Sequence, residues 1–250
     1  MDENPTTSAS QPVVSSAMTR MSNVFIAPSE LYSEVAVAPA QTSSWLLPFL
    51  ISIILAVVAT YAVFNNPSLR QQVYDMQEKA MQKMVAEGKV SQDRMDQQME
   101  GMKNSGPAMF VTFGAGLQII SFCLIFFLGA LLLWLAAKFV LKFSGSYSKI
   151  LEIYGLASWI GILGTIVAII LMNLMNNMFA SPGGGMILGD SFDPLNKGHK
   201  LLASLNIFTL WEMAVLGLGL AKASGKSTGL GMGISFALWA IFMVGLTMLF

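Results

Sequence analysis

Charge, cysteine and histidine are scarce in this chain, and each scarcity excludes something. Charged residues make up only 11% of the 250 positions, and the 14 basic and 14 acidic side chains cancel. No overall basic field exists to draw in DNA or RNA, so no nucleic-acid partner is expected. Cys123 is alone and cannot form an intramolecular disulfide or a thiolate metal cluster. His199 is the one histidine, which rules out a multi-histidine metal site within the chain. No Ser or Cys nucleophile beside a base, and no pocketed pair of acids, can be assembled from the sequence. An enzyme is not expected, and no catalytic residue, metal or cofactor is assigned. What the chain has instead is apolar length: 54% of its residues are hydrophobic and its mean hydropathy is +0.63. Five apolar stretches lie near 45–64, 108–137, 153–174, 201–221 and 229–250. A bilayer core about 30 Å thick needs roughly 20 helical residues at about 1.5 Å each, and every stretch meets that length. The sequence predicts an all-α, polytopic membrane protein with five transmembrane helices.

Before the first span, residues 1–22 are rich in Ser, Thr, Pro and Ala without periodicity, and are expected to be disordered. They lack a basic start, apolar run and small-residue cleavage site in succession, so the first span is read as its own signal-anchor. Residues 23–44 form an amphipathic segment expected at the membrane surface, with a helix starting at Pro28 and Leu31, Tyr32 and Val35 on its apolar side. The membrane domain, 45–250, carries a polar insert at 65–107 between its first two spans. There Val73, Met76, Ala80 and Met84 recur at helical spacing, Gly88 ends the helix, Ser91 caps another, and Met95, Met99 and Met102 share its face. This is the pattern of an extramembrane helical hairpin. Its methionines raise a Cu(I) relay, but the insert has no Cys or His to assist, and Met as adaptable apolar filler accounts for the stripe.

Orientation comes from the loops. The connection at 138–149 carries Lys138, Lys142 and Lys149 and no acid, and the one after span four carries Lys222 and Lys226 and no acid. Both fall on the N-terminal side, which the positive-inside rule makes cytoplasmic, leaving the C-terminus extracytoplasmic. The insert holds six basic residues and Lys197 and Lys200 precede span four, so by raw number the other side is not poorer, and the expectation rests on the two short, acid-free loops. Within the spans, the small-residue pairs Ala157 with Gly161, Gly217 with Ala221 and Gly233 with Ala237 suit close helix packing, which predicts a tight core of spans three to five.

Glu212 stands midway along span four. Ten Leu, Ile, Phe and Val residues in 201–221 contribute roughly −3 to −6 kcal/mol to insertion against about +3 for a central acid, so the segment inserts with Glu212 facing protein. It is either a proton or cation relay or a protonated carboxyl, kept neutral by desolvation and hydrogen-bonded to another span. Glu152, near the start of span three, is an acid favoured by the helix dipole with Lys149 close by, and is read as structural. The glycines at 183–185 read as a flexible loop.

Four blocks then stand in order: "NVFIAPSELYSEV" at 23–35, "WLLPF" at 45–49, "SYSKILEIYGLASWIGILG" at 146–164 and "LNIFTLWEMAVLGLGLAKASG" at 205–225. This order resembles the Yip1 domain family, particularly its bacterial branch. The resemblance implies five spans, a cytoplasmic N-terminus and a short extracytoplasmic C-terminus, here in the bacterial cytoplasmic membrane. For eukaryotic members it implies membrane trafficking through small GTPases and family partners. The third span here reads Gly155-Leu156 and Trp159-Ile160-Gly161 where the family commonly has Gly-Tyr followed by Pro, and no Asp-Leu-x-Gly-Pro block is present. The resemblance therefore brings the topology and no active site. The expected function is a non-enzymatic membrane protein that recruits or organises partners, in contact with membrane lipids and with protein partners as a homo- or hetero-oligomer. Lys138, Lys142 and Lys149 are its candidate contact loop. The alternative is a small transporter or channel subunit using Glu212.

Overall fold

The structure, a computed structural model, describes residues 15–104, 106–193 and 195–249. It begins with two short helices, α1 (Ala17–Ile26) and α2 (Pro28–Val37). Residues 16–22, expected to be disordered, instead belong to a capped helix: Ser16 caps α1 by accepting the Thr19 N–H at 3.2 Å, and Arg20 and Val24 are buried. Residues 1–14 of that tail lie outside the described residues. Pro28 opens α2 as expected, where its missing N–H is not needed. The two helices do not rest loosely on a surface. Val24, Leu31, Tyr32 and Val35 join one core cluster with residues of the membrane helices, and Phe25 meets Trp211 edge to face at 5.9 Å.

The first span is α3 (Ser43–Asn65), followed by the hairpin of α4 (Pro67–Ala86) and α5 (Gln92–Asn104). Asn66 caps α4 through its Oδ1, which accepts the Ser68 N–H at 3.0 Å, and Gly88 makes the turn with φ +69°. The hairpin stripe is only half covered: Met95 and Met99 are buried, while Ala80 and Met84 are exposed. Next come α6 (Gly106–Val140) and α7 (Tyr147–Met175), then the short α8 (Gly184–Leu188) and α9 (Lys197–Ser204), and finally α10 (Ile207–Ser224) and α11 (Thr228–Leu249). Among the described residues, five helices are long and apolar enough to cross a membrane: Ser43–Asn65, Gly114–Val140, Tyr147–Met175, Ile207–Ser224 and Thr228–Met248.

Two connections differ from expectation. Span four starts at Ile207 instead of near 201, because Asn206 ends the preceding chain by accepting the Phe208 N–H at 2.8 Å and so caps a new helix. The glycine run is ordered. Gly183 pairs with Asn206 in an isolated antiparallel bridge, and a Cβ on Gly183 or Gly184 would strike the Leu205 or Leu202 carbonyl.

Helix α7 is central, touching α1, α3, α6 and α10, while α10 also packs on α2 and α11. Span four packs on both span three and span five, but among the described residues α7 and α11 do not pack closely on each other as a tight core of the three would require, and α3 lies along α7 because Gly155 lets the Trp45 backbone approach. Gly217 and Gly231 do the same between α10 and α11, where Ser235 donates to the Met213 carbonyl at 2.7 Å. Gly233 and Ala237, by contrast, are exposed and hold no helix contact of that kind.

Candidate functional sites at the N-terminal face and in the membrane interior

The helices meet at the end where α3 and α7 begin, and four charges converge there. Arg20 of α1 reaches Glu152 of α7 through Nη1 at 2.6 Å and Glu34 of α2 through Nη2 at 2.8 Å, and its Nη1 also donates to Ser44 at 3.1 Å. Lys149 lies one turn before Glu152 and donates to its Oε2 at 2.6 Å. The other Lys149 protons go to the Val35 and Ala38 carbonyls at 2.8 and 2.9 Å, so this ammonium closes the C-terminal end of α2. Two cations and two carboxylates sum to zero. Taking each charge from water costs several kcal/mol, and the cluster tolerates this because nearly every charged atom is paired or hydrogen-bonded. At its rim, Glu34 is partly burial-shifted upward, but hydrogen bonds from Ser15 and Arg20 outweigh this and hold its carboxyl below the usual range. One layer deeper, Tyr32 donates to the Ile153 carbonyl at 3.1 Å, and burial, with the Glu212 and Glu152 charges, pushes its phenol up.

Lys149 is thus buried and engaged inside the protein, and does not belong to an exposed contact loop as expected. Lys138 and Lys142 are exposed, Lys138 lying over the Trp134 ring at 4.8 Å. Arg20 and Glu34 were not singled out by sequence reasoning. The available signal was that Arg20 is the one basic residue before the first span, while Glu152 sits in an apolar helix and needs a counter-charge.

The second site surrounds Glu212. A cavity of about 280 Å³ lies between α3, α6, α7 and α10, with Ser52, Gln118, Tyr154, Ser158, Thr165 and Glu212 as its polar lining. Phe122 and Phe126 complete one wall, and Phe126 stacks on Tyr154 at 4.9 Å. Gly161 makes room for the acid: a Cβ there would lie 2.6 Å from Glu212 Oε2. Among the described residues, no hydrogen bond or ion pair engages the Glu212 carboxyl, so the cross-span bond weighed from the sequence is not made. Nor do three or more His, Cys, Asp or Glu side chains gather anywhere among them as a metal site.

Five apolar helices, with the N-terminal helices built into the same core, define a polytopic helical membrane protein. Within that class the chain belongs to the Yip1 domain family, whose model matches residues 22–249. The match begins inside α1, so it takes in most of the buried charge network as well as all five spans. No curated protein and no solved structure matches the chain significantly.

Proposed function

We propose that the protein is a non-enzymatic membrane organiser that recruits protein partners at the face carrying α1 and α2. On this reading that face is cytoplasmic, the C-terminus is extracytoplasmic and the membrane is the bacterial cytoplasmic membrane. The supporting observation is the neutral, buried charge network that fixes α1 and α2 to α7. A platform ordered in advance spares a partner the entropy of ordering it. Its neighbouring edge, at the end of α6, exposes Lys138, Phe139 (66%), Val140 (55%) and Lys142. Basic and apolar groups side by side suit both anionic lipid headgroups and a membrane-borne partner with an acidic rim. The test is crosslinking in native membranes followed by affinity purification and mass spectrometry. A stoichiometric protein partner that falls away in the Lys138→Glu/Lys142→Glu variant supports the reading, and the absence of any reproducible partner ends it.

The Glu212 cavity favours a second reading, a small transporter or channel subunit. An intramembrane carboxylate without a protein partner is suited to holding a cation or proton. Reconstituted into liposomes, the protein would then carry an ion flux that Glu212→Gln abolishes at unchanged protein level. Equal flux from the two proteins would end this reading.

A further inference from the structure

Acceptors outnumber donors in the lining of the Glu212 cavity. Ser52 donates to the Pro48 carbonyl at 2.8 Å, Ser158 to Tyr154 at 2.9 Å and Thr165 to Gly161 at 2.9 Å, each within its own helix. A hydroxyl has one hydrogen, so each of these three has committed it and turns only lone pairs to its surroundings. The Glu212 carboxyl is likewise an acceptor when a cation beside it favours its ionised form. Gln118 accepts the Thr60 hydroxyl of α3 through Oε1 at 2.6 Å, which leaves its amide N–H groups, with the Tyr154 hydroxyl, as the donors of the lining. The lining therefore offers the Glu212 carboxyl and three hydroxyl oxygens as acceptors, against the Gln118 amide and the Tyr154 hydroxyl as donors.

The rest of the wall is aromatic. Phe126 lies 6.1 Å from Phe122 and 4.9 Å from Tyr154, ring centre to ring centre. Aromatic faces attract cations and also accept alkyl groups. A bare metal ion takes about six or more oxygens around it and would leave the ring wall without a role. An alkylammonium ion has N–H groups for the oxygens, a positive charge for the carboxylate and a small apolar body for the rings.

We propose that the cavity between α3, α6, α7 and α10 binds a small primary alkylammonium ion, its N–H groups directed to Glu212 and the serine and threonine oxygens and its carbon end against Phe122 and Phe126. The proposal rests on the reading of Glu212 as a cation-handling group and goes further by naming the class of cation. It is independent of whether the ion is moved across the membrane.

The test uses the purified full chain in lipid nanodiscs and radiolabelled methylammonium in equilibrium dialysis. Saturable binding close to one ion per chain is expected, weakened roughly tenfold or more in Glu212→Gln, where a charge-assisted hydrogen bond is lost. Gly161→Ala leaves the acid in place but pushes its carboxyl away, and should weaken binding as well. Thermal unfolding of each variant identifies any that fails to fold, and the two substitutions perturb the fold differently, so one folded variant suffices. Three results would overturn the site: no saturable binding by the folded wild type, unchanged affinity in the folded variants, or displacement by sodium as effective as by ethylammonium. Methylammonium binding without flux in liposomes would uphold the site and end the transport reading, while flux of another ion without methylammonium binding would do the reverse.

Discussion

Arg20 and Glu152 form an ion pair of 2.6 Å in which neither side chain is exposed, joining α1 to the first turns of α7 across 132 positions of sequence. This contact makes the N-terminal helices part of the membrane fold. Arg20→Ala would leave Glu152 with Lys149 alone and deprive Glu34 of its counter-charge. A loss of roughly 3 kcal/mol is expected from breaking a buried pair. Thermal unfolding in detergent checks it, and Arg20→Met combined with Glu152→Gln should recover part of the loss, since the buried charge then goes with its partner.

Lys149 gives a second prediction. Its three protons serve one carboxylate and two carbonyls at the end of α2, a geometry that suits a compact ammonium and not a planar guanidinium. Lys149→Arg should therefore loosen α2 almost as much as Lys149→Met. Hydrogen exchange read over residues 28–38 would rise in both variants while the span residues of α10 stay protected.

Acid should release the same helices. The Glu34 carboxyl is held below its ordinary value, so its stabilising contribution is fully present above the unfolded value of about 4.3 and is lost as pH falls through the lower folded value. Exposure at the rim screens this contribution, so the effect is modest. Proteolysis of α1 and α2 across an acid titration should show a step below about pH 4 that Glu34→Gln removes.

Gly219 is a packing point. A Cβ there would come within 2.6 Å of Ile153 Cγ2 and 2.8 Å of Tyr32 Cε1, so Gly219→Ala should destabilise by roughly 1 to 3 kcal/mol. Gly233→Ala meets open space and should change stability by less than about 0.5 kcal/mol. Paired unfolding measurements in the same detergent separate the two.

The spans, the Pro28 helix start and the Gly88 turn were legible in the sequence because each depends on local features: apolar length, a fixed φ, a residue tolerant of positive φ. The four-charge network was not. Arg20 and Glu34 lie outside the spans, and nothing local states that they meet Lys149 and Glu152, so Lys149 read as one of three loop lysines. The break at Asn206 was hidden by the apolar residues on both of its sides, which continue the hydropathy of span four while the amide caps a new helix. Glu212 was conspicuous as a lone acid in an apolar helix, but its cavity depends on Gly161 and on three hydroxyls from two other helices, a placement that only the packing discloses.

The most direct test of the organiser reading places a photo-crosslinking amino acid at Phe139, on the exposed edge beside the N-terminal helices, and another at Gln82, in the extramembrane hairpin. Irradiated in native membranes, the Phe139 derivative should give a discrete protein adduct that the Gln82 derivative does not. An Arg20→Ala background, with α1 and α2 loosened, should weaken that adduct. If Phe139 yields only lipid adducts, or the same protein adducts as Gln82, this face does not recruit a partner and the account is contradicted.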